Sequence, residues 1–255
     1  MCKDKRMISL SDLHYHIKKN VFFSDVIETP AYNIYYSDNL LCPYWNHAEI
    51  SDISALNDIL GKIMDEFKQL NRSPCIHISA NQTGDLVQLQ AHKFKVTITE
   101  KWFRFENDFK PLTCFAKEVE TEKERKDFLK FFTEDYNKNY KYGKELTSAC
   151  INAIDSLFDD KKYRHFISYE GDEVAAIGSI GEYEDYYVIF NISVNSKYFD
   201  KEDKDAVLNS CIRHFSSRHG LGLNIKLNNS NDNSLEKWYQ DKGFKKMTGG
   251  YYLTL

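Results

Sequence analysis

Residues 223–255 read LNIKLNNSNDNSLEKWYQDKGFKKMTGGYYLTL, and this stretch decides the fold prediction. It predicts a strand, a polar turn, a short helix and then a closing pair of strands separated by Gly249 and Gly250. The stretch before it adds three strands, which we place at 165–170, 173–181 and 186–194. Their apolar, β-branched and aromatic content predicts an antiparallel meander.

Helices are predicted on both sides of this meander. The apolar spacing of 124–137 and of 145–158 predicts two helices before it, and 205–220 predicts one after it. Asp200 is a candidate N-cap for the last of these helices, and Gly220 lies just past its end. Residues 112–255 therefore contain all the elements of one mixed domain.

The first part of the chain repeats the order of the last part. A helix is expected over 52–70 with Ser51 as its N-cap, followed by a strand at 75–79, a turn, a brief helix and two strands at 93–99 and 101–107. Five residues recur at a constant offset of 150, with one change of aromatic type: Asn81, Gln90, Phe94, Lys95 and Trp102 return as Asn231, Gln240, Phe244, Lys245 and Tyr252. The sequence therefore predicts two copies of one supersecondary unit, the first being the shorter.

The order of elements in residues 112–255 resembles the last two-thirds of an acyl-CoA N-acyltransferase of the GNAT superfamily. In that family the short helix commonly ends in Tyr-x-x-x-Gly-Phe, and this chain has Tyr239, Gly243 and Phe244 at those places. The resemblance implies an α/β (α+β) fold of tandem GNAT-like domains, with a mixed, mostly antiparallel sheet flanked by helices. We expect a truncated, non-catalytic GNAT-like domain at 1–108 and an acyltransferase domain at 112–255.

The family's phosphate-binding element differs most in this chain. The family pattern resembles V-x-P-x-x-R-G-x-G-x-G, and this chain has VNSKYFDKEDK at 194–204, without the proline, the arginine or the glycines. Asp200 and Glu202 would repel phosphates by roughly 3 kcal/mol at 5 Å, or they are ordinary first-turn carboxylates of a helix. Three lysines of this element could offset the repulsion: Lys197, Lys201 and Lys204.

The resemblance also implies where acetyl-CoA, the expected cosubstrate, would bind. It would lie between the strands 186–194 and 223–228, so Ile192 and Val194 are candidate cofactor-binding residues. Asn228 and Asn231 of the polar turn could bind the CoA arm, or they are simply good turn formers. The acceptor would be a small-molecule or peptide amine.

The resemblance suggests Tyr239 as the acid that protonates the departing thiolate, although a core aromatic role is equally open. Glu182 and Glu184 are the nearest candidates for the general base, or they are solvated residues of a turn. The expected activity is transfer of an acetyl group from acetyl-CoA to a primary amine. The alternative is a non-catalytic binding or regulatory protein that has lost the CoA phosphate loop.

Composition excludes several other classes. A net charge of -4 with interspersed signs argues against nucleic acid as a partner. We expect neither a membrane span nor a signal peptide, and therefore a cytoplasmic protein, with a homodimer as a candidate assembly. The six cysteines have no CxxC pair, and the eight histidines show no ligand spacing, so the sequence predicts no metal site.

Overall fold

The computed structural model describes residues 10–19, 21–51, 53–106, 113–140, 144–198, 203–217, 221–228 and 234–255. Its α-helices are α1 (Leu10–Lys18), α2 (Leu56–Gln69), α3 (Thr83–Ala91), α4 (Glu122–Tyr140), α5 (Lys144–Ser156), α6 (Asp203–Ser217) and α7 (Ser234–Asp241). A short 3-10 turn, Ile53–Ala55, precedes α2, so Ser51 does not cap this helix as the sequence predicted. No helix in the described ranges is long and apolar enough to cross a membrane.

The strands of the described residues form one eleven-stranded sheet with the order β1-β2-β3-β4-β11-β5-β10-β9-β8-β7-β6. Their bounds are β1 (Asp25–Glu28), β2 (Tyr32–Tyr36), β3 (His47–Ile50), β4 (Cys75–Ser79), β5 (Lys95–Phe105), β6 (Lys117–Glu118), β7 (Tyr163–Glu170), β8 (Glu173–Tyr183), β9 (Tyr186–Val194), β10 (Leu221–Asn228) and β11 (Phe244–Thr254). The predicted meander of the second half is β7-β8-β9, and all its pairs are antiparallel. The sheet is mixed, because β3 pairs with β4 and β9 pairs with β10 in parallel.

The two halves repeat each other, and the repeat is longer than the strand, short helix and closing strands that the sequence predicted. In each half an antiparallel meander leads to a strand that pairs in parallel with the next one, and a short helix and a long strand follow. Phe94 and Phe244 each lie three positions after the end of the short helix of their half, and they are 2% and 1% exposed. The meander β1-β2-β3 and helix α1 were not predicted from the sequence.

The long strands of the two halves are exchanged at the centre of the sheet. β11, from the second half, lies between β4 and β5 of the first half. β5, from the first half, lies between β11 and β10 of the second half. Because the sheet continues across both halves, the predicted boundary between the domains does not divide it. That boundary, near residues 108–112, falls on residues outside the described ranges and stays a prediction.

Two strand pairs that the sequence predicted are single strands. Most of the segments 93–99 and 101–107 forms the single strand β5 (Lys95–Phe105), and Gly249 and Gly250 lie inside β11 instead of in a turn. The physical reason is close approach, since a Cβ on Gly249 would lie 2.3 Å from the Glu100 carbonyl oxygen. The glycines therefore allow β11 and β5 to lie close together at a place where the sequence pattern indicated a turn.

Helices cover both faces of the sheet. On the first face, α2 and α3 pack on the first half, and α6 and α7 pack on the second half. On the second face, α1, α4 and α5 enclose a core that includes Trp102, Phe128, Ile177 and Val188. Alternation along the strands explains this division, because successive side chains point to opposite faces.

Candidate active site

A cleft opens where two parallel strands of the second half separate. β9 and β10 pair from Tyr186–Leu221 to Ile189–Asn224, and their pairing ends there. Beyond that point β9 continues to pair with β8, and β10 continues to pair with β5. We call the gap between residues 190–194 of β9 and residues 225–228 of β10 the β9–β10 cleft. Within the part of the chain that the structure describes, backbone groups along its two edges lack the partner strand that they have at the start of β9 and β10.

A β-bulge marks the point where the cleft begins. In the pairing of β8 with β9, Ser179 lies opposite Asn191 while Ile180 lies opposite Ile189, so Phe190 is the extra residue. A bulge interrupts the ladder and re-aims backbone groups, and bulges are frequent next to active sites. Backbone N–H groups of β9 are therefore available where the strands diverge.

Asn191, which follows the bulge, adds a side-chain donor. Its amide nitrogen is buried and has no hydrogen-bond partner among the described residues. Its amide oxygen accepts a hydrogen bond from the Ser193 hydroxyl at 3.4 Å, which leaves the nitrogen as the donor end. A buried donor without a partner costs about 1–3 kcal/mol, so a ligand oxygen placed here would recover that cost.

The predicted cofactor-binding residues fall into three groups. Ile192 and Val194 lie at the edge of the β9–β10 cleft, and their side chains pack against the α6 core. Lys197 donates to Glu173 at 2.8 Å, and that carboxylate also accepts from the Tyr198 hydroxyl. Lys204 and Asn228 are described only as positions in α6 and β10, and Lys201 and Asn231 lie outside the described residues.

Tyr239, the predicted acid, lies in α7 and is 7% exposed. Its ring stacks on Phe103 at 5.7 Å and meets Phe244 edge-on at the same distance. The indole of the neighbouring Trp238 donates to Asp205 at 2.8 Å, which ties α7 to the first turns of α6. The tyrosine ring is therefore held in an aromatic cluster on the first face of the sheet.

The structure does not bring Glu182 and Glu184 to the cleft. Glu182 lies near the end of β8, opposite Tyr187 of β9, and Glu184 lies in the turn that follows, where it is exposed and has a φ of 53°. Glu184 precedes Ile189 by five positions, which is roughly 17 Å along an extended strand. Because β9 runs away from this turn toward the cleft, sequence proximity to the strand did not mean proximity to the predicted thioester.

A second polar site lies in the first half, where β3 and β4 pair in parallel. We call His47, Glu49, His77 and Glu100 the glutamate–histidine cluster. His77 bridges the two carboxylates, with Nδ1 3.0 Å from Glu49 Oε1 and Nε2 3.0 Å from Glu100 Oε1. Glu100 also accepts from the Trp102 indole at 2.9 Å, and its second oxygen accepts from a tyrosine hydroxyl on β11.

Burial and hydrogen bonding set the protonation of this cluster. Burial acts to lower the pKa of His77, but the bonds from Glu100 and Glu49 outweigh it and raise that pKa to about 9. Burial lowers the pKa of His47 to about 4. Burial likewise lowers the pKa of the neighbouring Lys18 ammonium to about 7. The cluster thus holds one positive imidazolium between two carboxylates, with a neutral imidazole beside them.

The glutamate–histidine cluster borders a cavity of about 240 Å³. Its walls come from five elements, and its lining includes Glu49, His77, Ser79, Glu100 and Thr248. Sequence reasoning missed this site, because its residues are separated by tens of positions. The available signal was the presence of charged residues inside apolar strands, namely His77 within CIHIS and Glu100 within TITEKWF.

No family model matches the chain, and no curated protein matches it either. Solved structures resemble it over most of its length. A GCN5-related N-acetyltransferase from Sphaerobacter thermophilus superposes with a TM-score of 0.68 at 9% identity, covering 95% of this chain and 83% of that chain. The fold is therefore that of the GNAT acetyltransferases.

Two further structures extend the similarity. A conserved protein of unknown function from Staphylococcus epidermidis has a TM-score of 0.68 at 11% identity and covers 97% of each chain. A tandem GNAT protein from the clavulanic acid biosynthesis pathway has a TM-score of 0.55 at 8% identity, covering 88% of this chain and 78% of that one. The GNAT fold and its tandem form, predicted from the sequence, are confirmed at the level of fold.

Proposed function

We propose that the chain is an N-acyltransferase that moves an acetyl group from acetyl-CoA to a primary amine. The observation that carries the proposal is the β9–β10 cleft, with its bulge at Phe190 and with α6 following β9. An open pair of parallel strands offers unpaired backbone groups to an extended, amide-containing ligand such as the pantetheine arm. The helix that follows directs its N-terminus toward the anionic end of such a ligand.

The residues at the start of the cleft suit acyl transfer. A neutral amine attacks the thioester carbonyl, the oxyanion forms, the C–S bond breaks, and the products are an amide and the free thiol of CoA. We assign the backbone N–H groups of the bulge and the buried amide nitrogen of Asn191 to the oxyanion, because preorganised donors stabilise developing charge most effectively. The Tyr239 hydroxyl is the proposed proton donor to the thiolate.

The phosphate end is the weakest part of the proposed site. Lys197 already pairs with Glu173, so it must leave that carboxylate to reach a phosphate. The pair is largely exposed, and exposed ion pairs contribute only about 0–1 kcal/mol, so the exchange costs little. We propose that Lys201 and Lys204 share this role with Lys197.

The second candidate function is a non-catalytic GNAT-fold protein that binds a ligand without turnover. Two observations favour it: the ring of Tyr239 is packed as a core aromatic, and the phosphate-binding glycines of the resembled pattern are absent from 194–204. This candidate predicts a stable fold with no release of CoA in the presence of any amine.

Acetyl-CoA binding and turnover separate the two functions. At about 100 times its dissociation constant, acetyl-CoA should add about 2.7 kcal/mol to the free energy of unfolding, which a thermal melt would detect. Release of the CoA thiol should then be followed across a panel of small-molecule and peptide amines. Binding without turnover supports the second candidate, and no binding at millimolar acetyl-CoA contradicts both a cofactor site and an acyltransferase.

The Asn191→Ala variant tests the placement of the chemistry. We expect turnover to fall by about 100-fold or more, as when an oxyanion donor is removed, with little loss of stability. The matched control is Asn209→Ala, because Asn209 is buried in α6 and donates to the Cys114 carbonyl at 3.0 Å. The control should lower stability and leave the turnover of the folded protein near that of the wild type.

A further inference from the structure

Three side chains of the glutamate–histidine cluster present one ligand atom each toward a common point. His47 and Glu49 lie on the same face of β3, because they are two positions apart, and Glu49 is the register partner of His77 on β4. The nearest ligand atoms of the three side chains all lie within 4.8 Å of one another. The sequence predicted no metal site, since these residues do not form a recognised spacing.

The hydrogen bonds on the far side of both imidazoles match those of metal ligands. His47 donates through Nδ1 to the Tyr44 carbonyl at 3.0 Å, which leaves Nε2 directed toward Glu49. His77 has Nε2 3.0 Å from Glu100, which leaves Nδ1 directed toward Glu49. Histidine ligands of metals almost always donate their other N–H to a carbonyl or a carboxylate, and this bond fixes the tautomer.

Glu100 is itself held in place. It is 3% exposed and accepts from the Trp102 indole and the Tyr252 hydroxyl, at 2.9 and 3.2 Å. A carboxylate with these two additional donors is fixed in orientation, so the His77 ring that it binds is fixed as well. This support comes from β5 and β11, two strands that do not supply the ligands.

The distances suit a small tetrahedral ion after slight movement. Glu49 Oε1 lies 3.0 Å from His77 Nδ1 and 4.0 Å from His47 Nε2. Ligand atoms bound to Zn²⁺ at about 2.0–2.1 Å in tetrahedral geometry are about 3.3 Å apart. Because the largest separation in the group is within 4.8 Å, a shift of less than about 1 Å in each side chain would close the site around an ion.

The charges also balance. The two positive charges of a divalent ion would face the carboxylates of Glu49 and Glu100, which lie 3.0 Å from the two ring nitrogens of His77. Both imidazoles would then be neutral, as metal binding requires. The charge of the filled cluster would be zero, which suits a buried position better than an excess of either sign.

We propose that His47, Glu49 and His77 bind a divalent transition-metal ion, and that this ion is Zn²⁺. Two nitrogen ligands and one carboxylate with an open fourth position are the arrangement that Zn²⁺ accepts in proteins. Glu49 and His77 also line the cavity of about 240 Å³, so water or an additional ligand has room beside the ion. This site is in the first half of the chain and does not depend on the proposed acyltransferase activity.

The test uses the full chain without an affinity tag, stripped with a chelator and dialysed. Calorimetric titration with Zn²⁺ should show one equivalent bound, and Co²⁺ should give the strong visible bands of a four-coordinate nitrogen and oxygen site. Glu49→Gln keeps the shape of the side chain and should weaken Zn²⁺ binding by more than about 100-fold, while Glu100→Gln should weaken it by about 10–100-fold.

The matched control is His92→Ala, because His92 is an exposed histidine that follows α3, and its side chain binds only Asn57 in the described hydrogen bonds. It should bind Zn²⁺ as the wild type does, and circular dichroism should confirm that every variant is folded. Absence of stoichiometric binding in the wild type, or unchanged affinity in Glu49→Gln, would overturn the proposal. A sulfur-to-Co²⁺ charge-transfer band would overturn it too, because it would place the ion on cysteines.

Discussion

The contact between α6 and the sheet at Gly178 allows a direct test of how closely this helix lies on the strands. A Cβ added to Gly178 would lie 2.3 Å from Val207 Cγ1 and 3.2 Å from the Asn191 carbonyl oxygen. Val207 is 0% exposed, so its methyl group has no free space to enter. We expect Gly178→Ala to lower the free energy of unfolding by about 1–3 kcal/mol, the usual cost of overpacking.

The compensating change is Val207→Ala, which removes the methyl group that the new Cβ would strike. Alone, it deletes two buried methyl groups and should cost about 2 kcal/mol, from a transfer term and a small cavity. In the double variant the methyl group introduced by Gly178→Ala occupies part of that cavity. The double variant should therefore be more stable than the sum of the single changes predicts, by about 1–2 kcal/mol.

Urea unfolding followed by circular dichroism measures all four proteins, with the m-value checked for constancy. The control is Gly61→Ala in α2, where an added Cβ meets no atom within 4 Å. It should stabilise the protein by about 0.4–1 kcal/mol, because alanine loses less backbone freedom on folding. Additive effects of Gly178→Ala and Val207→Ala would refute the reasoning, since they would mean that Gly178 and Val207 are not in contact.

Three other predictions concern α7 and the start of α4. Tyr239→Phe should lower turnover by about 100 to 10,000-fold with little change in stability, and full activity in the folded variant would remove the hydroxyl from the mechanism. Thr121→Ala should cost about 1 kcal/mol in urea unfolding, because the Thr121 hydroxyl accepts from the Glu124 backbone N–H at 3.3 Å as an N-cap. A hydrogen bond from Lys117 and backbone N–H groups, including that of Glu120, lower the pKa of Glu124 from 4.5 to about 2. The depressed value means that the contribution of Glu124 to stability is complete above about pH 4.5 and is lost as the pH falls toward 2. Urea midpoints across this range should fall less steeply in Glu124→Gln, and an identical slope would contradict the assignment.

The elements of the second half could be predicted because their signals are local. The apolar spacing of 124–137 and 205–220 and the strand composition of 165–194 each depend on neighbours within a few positions. The recurrence of Phe94 as Phe244 indicated that two similar units exist. The pattern at Gly249 indicated a turn, because sequence alone cannot show the neighbouring strand that makes a glycine necessary there.

The candidate sites were predicted less completely. The strands that flank the β9–β10 cleft were identified, but the point of divergence and the bulge at Phe190 depend on pairing with β8 and β10. Glu182 and Glu184 were chosen by proximity in sequence, and the direction of β9 carries them away from the cleft. Asn191 was not recognised, because an asparagine in a strand shows its unsatisfied donor only once the packing is known.

By itself, the sequence determined the helices and the meander of the second half, the repeat of one unit and the resemblance to the GNAT fold. Only the tertiary structure decided that β11 and β5 are exchanged between the halves, and that Glu49, His77 and Glu100 meet in one buried cluster. The physical reason is the separation along the chain of the residues that interact. Periodicity reports which face of an element is buried, whereas the partner on that face is selected by packing among residues far apart along the chain.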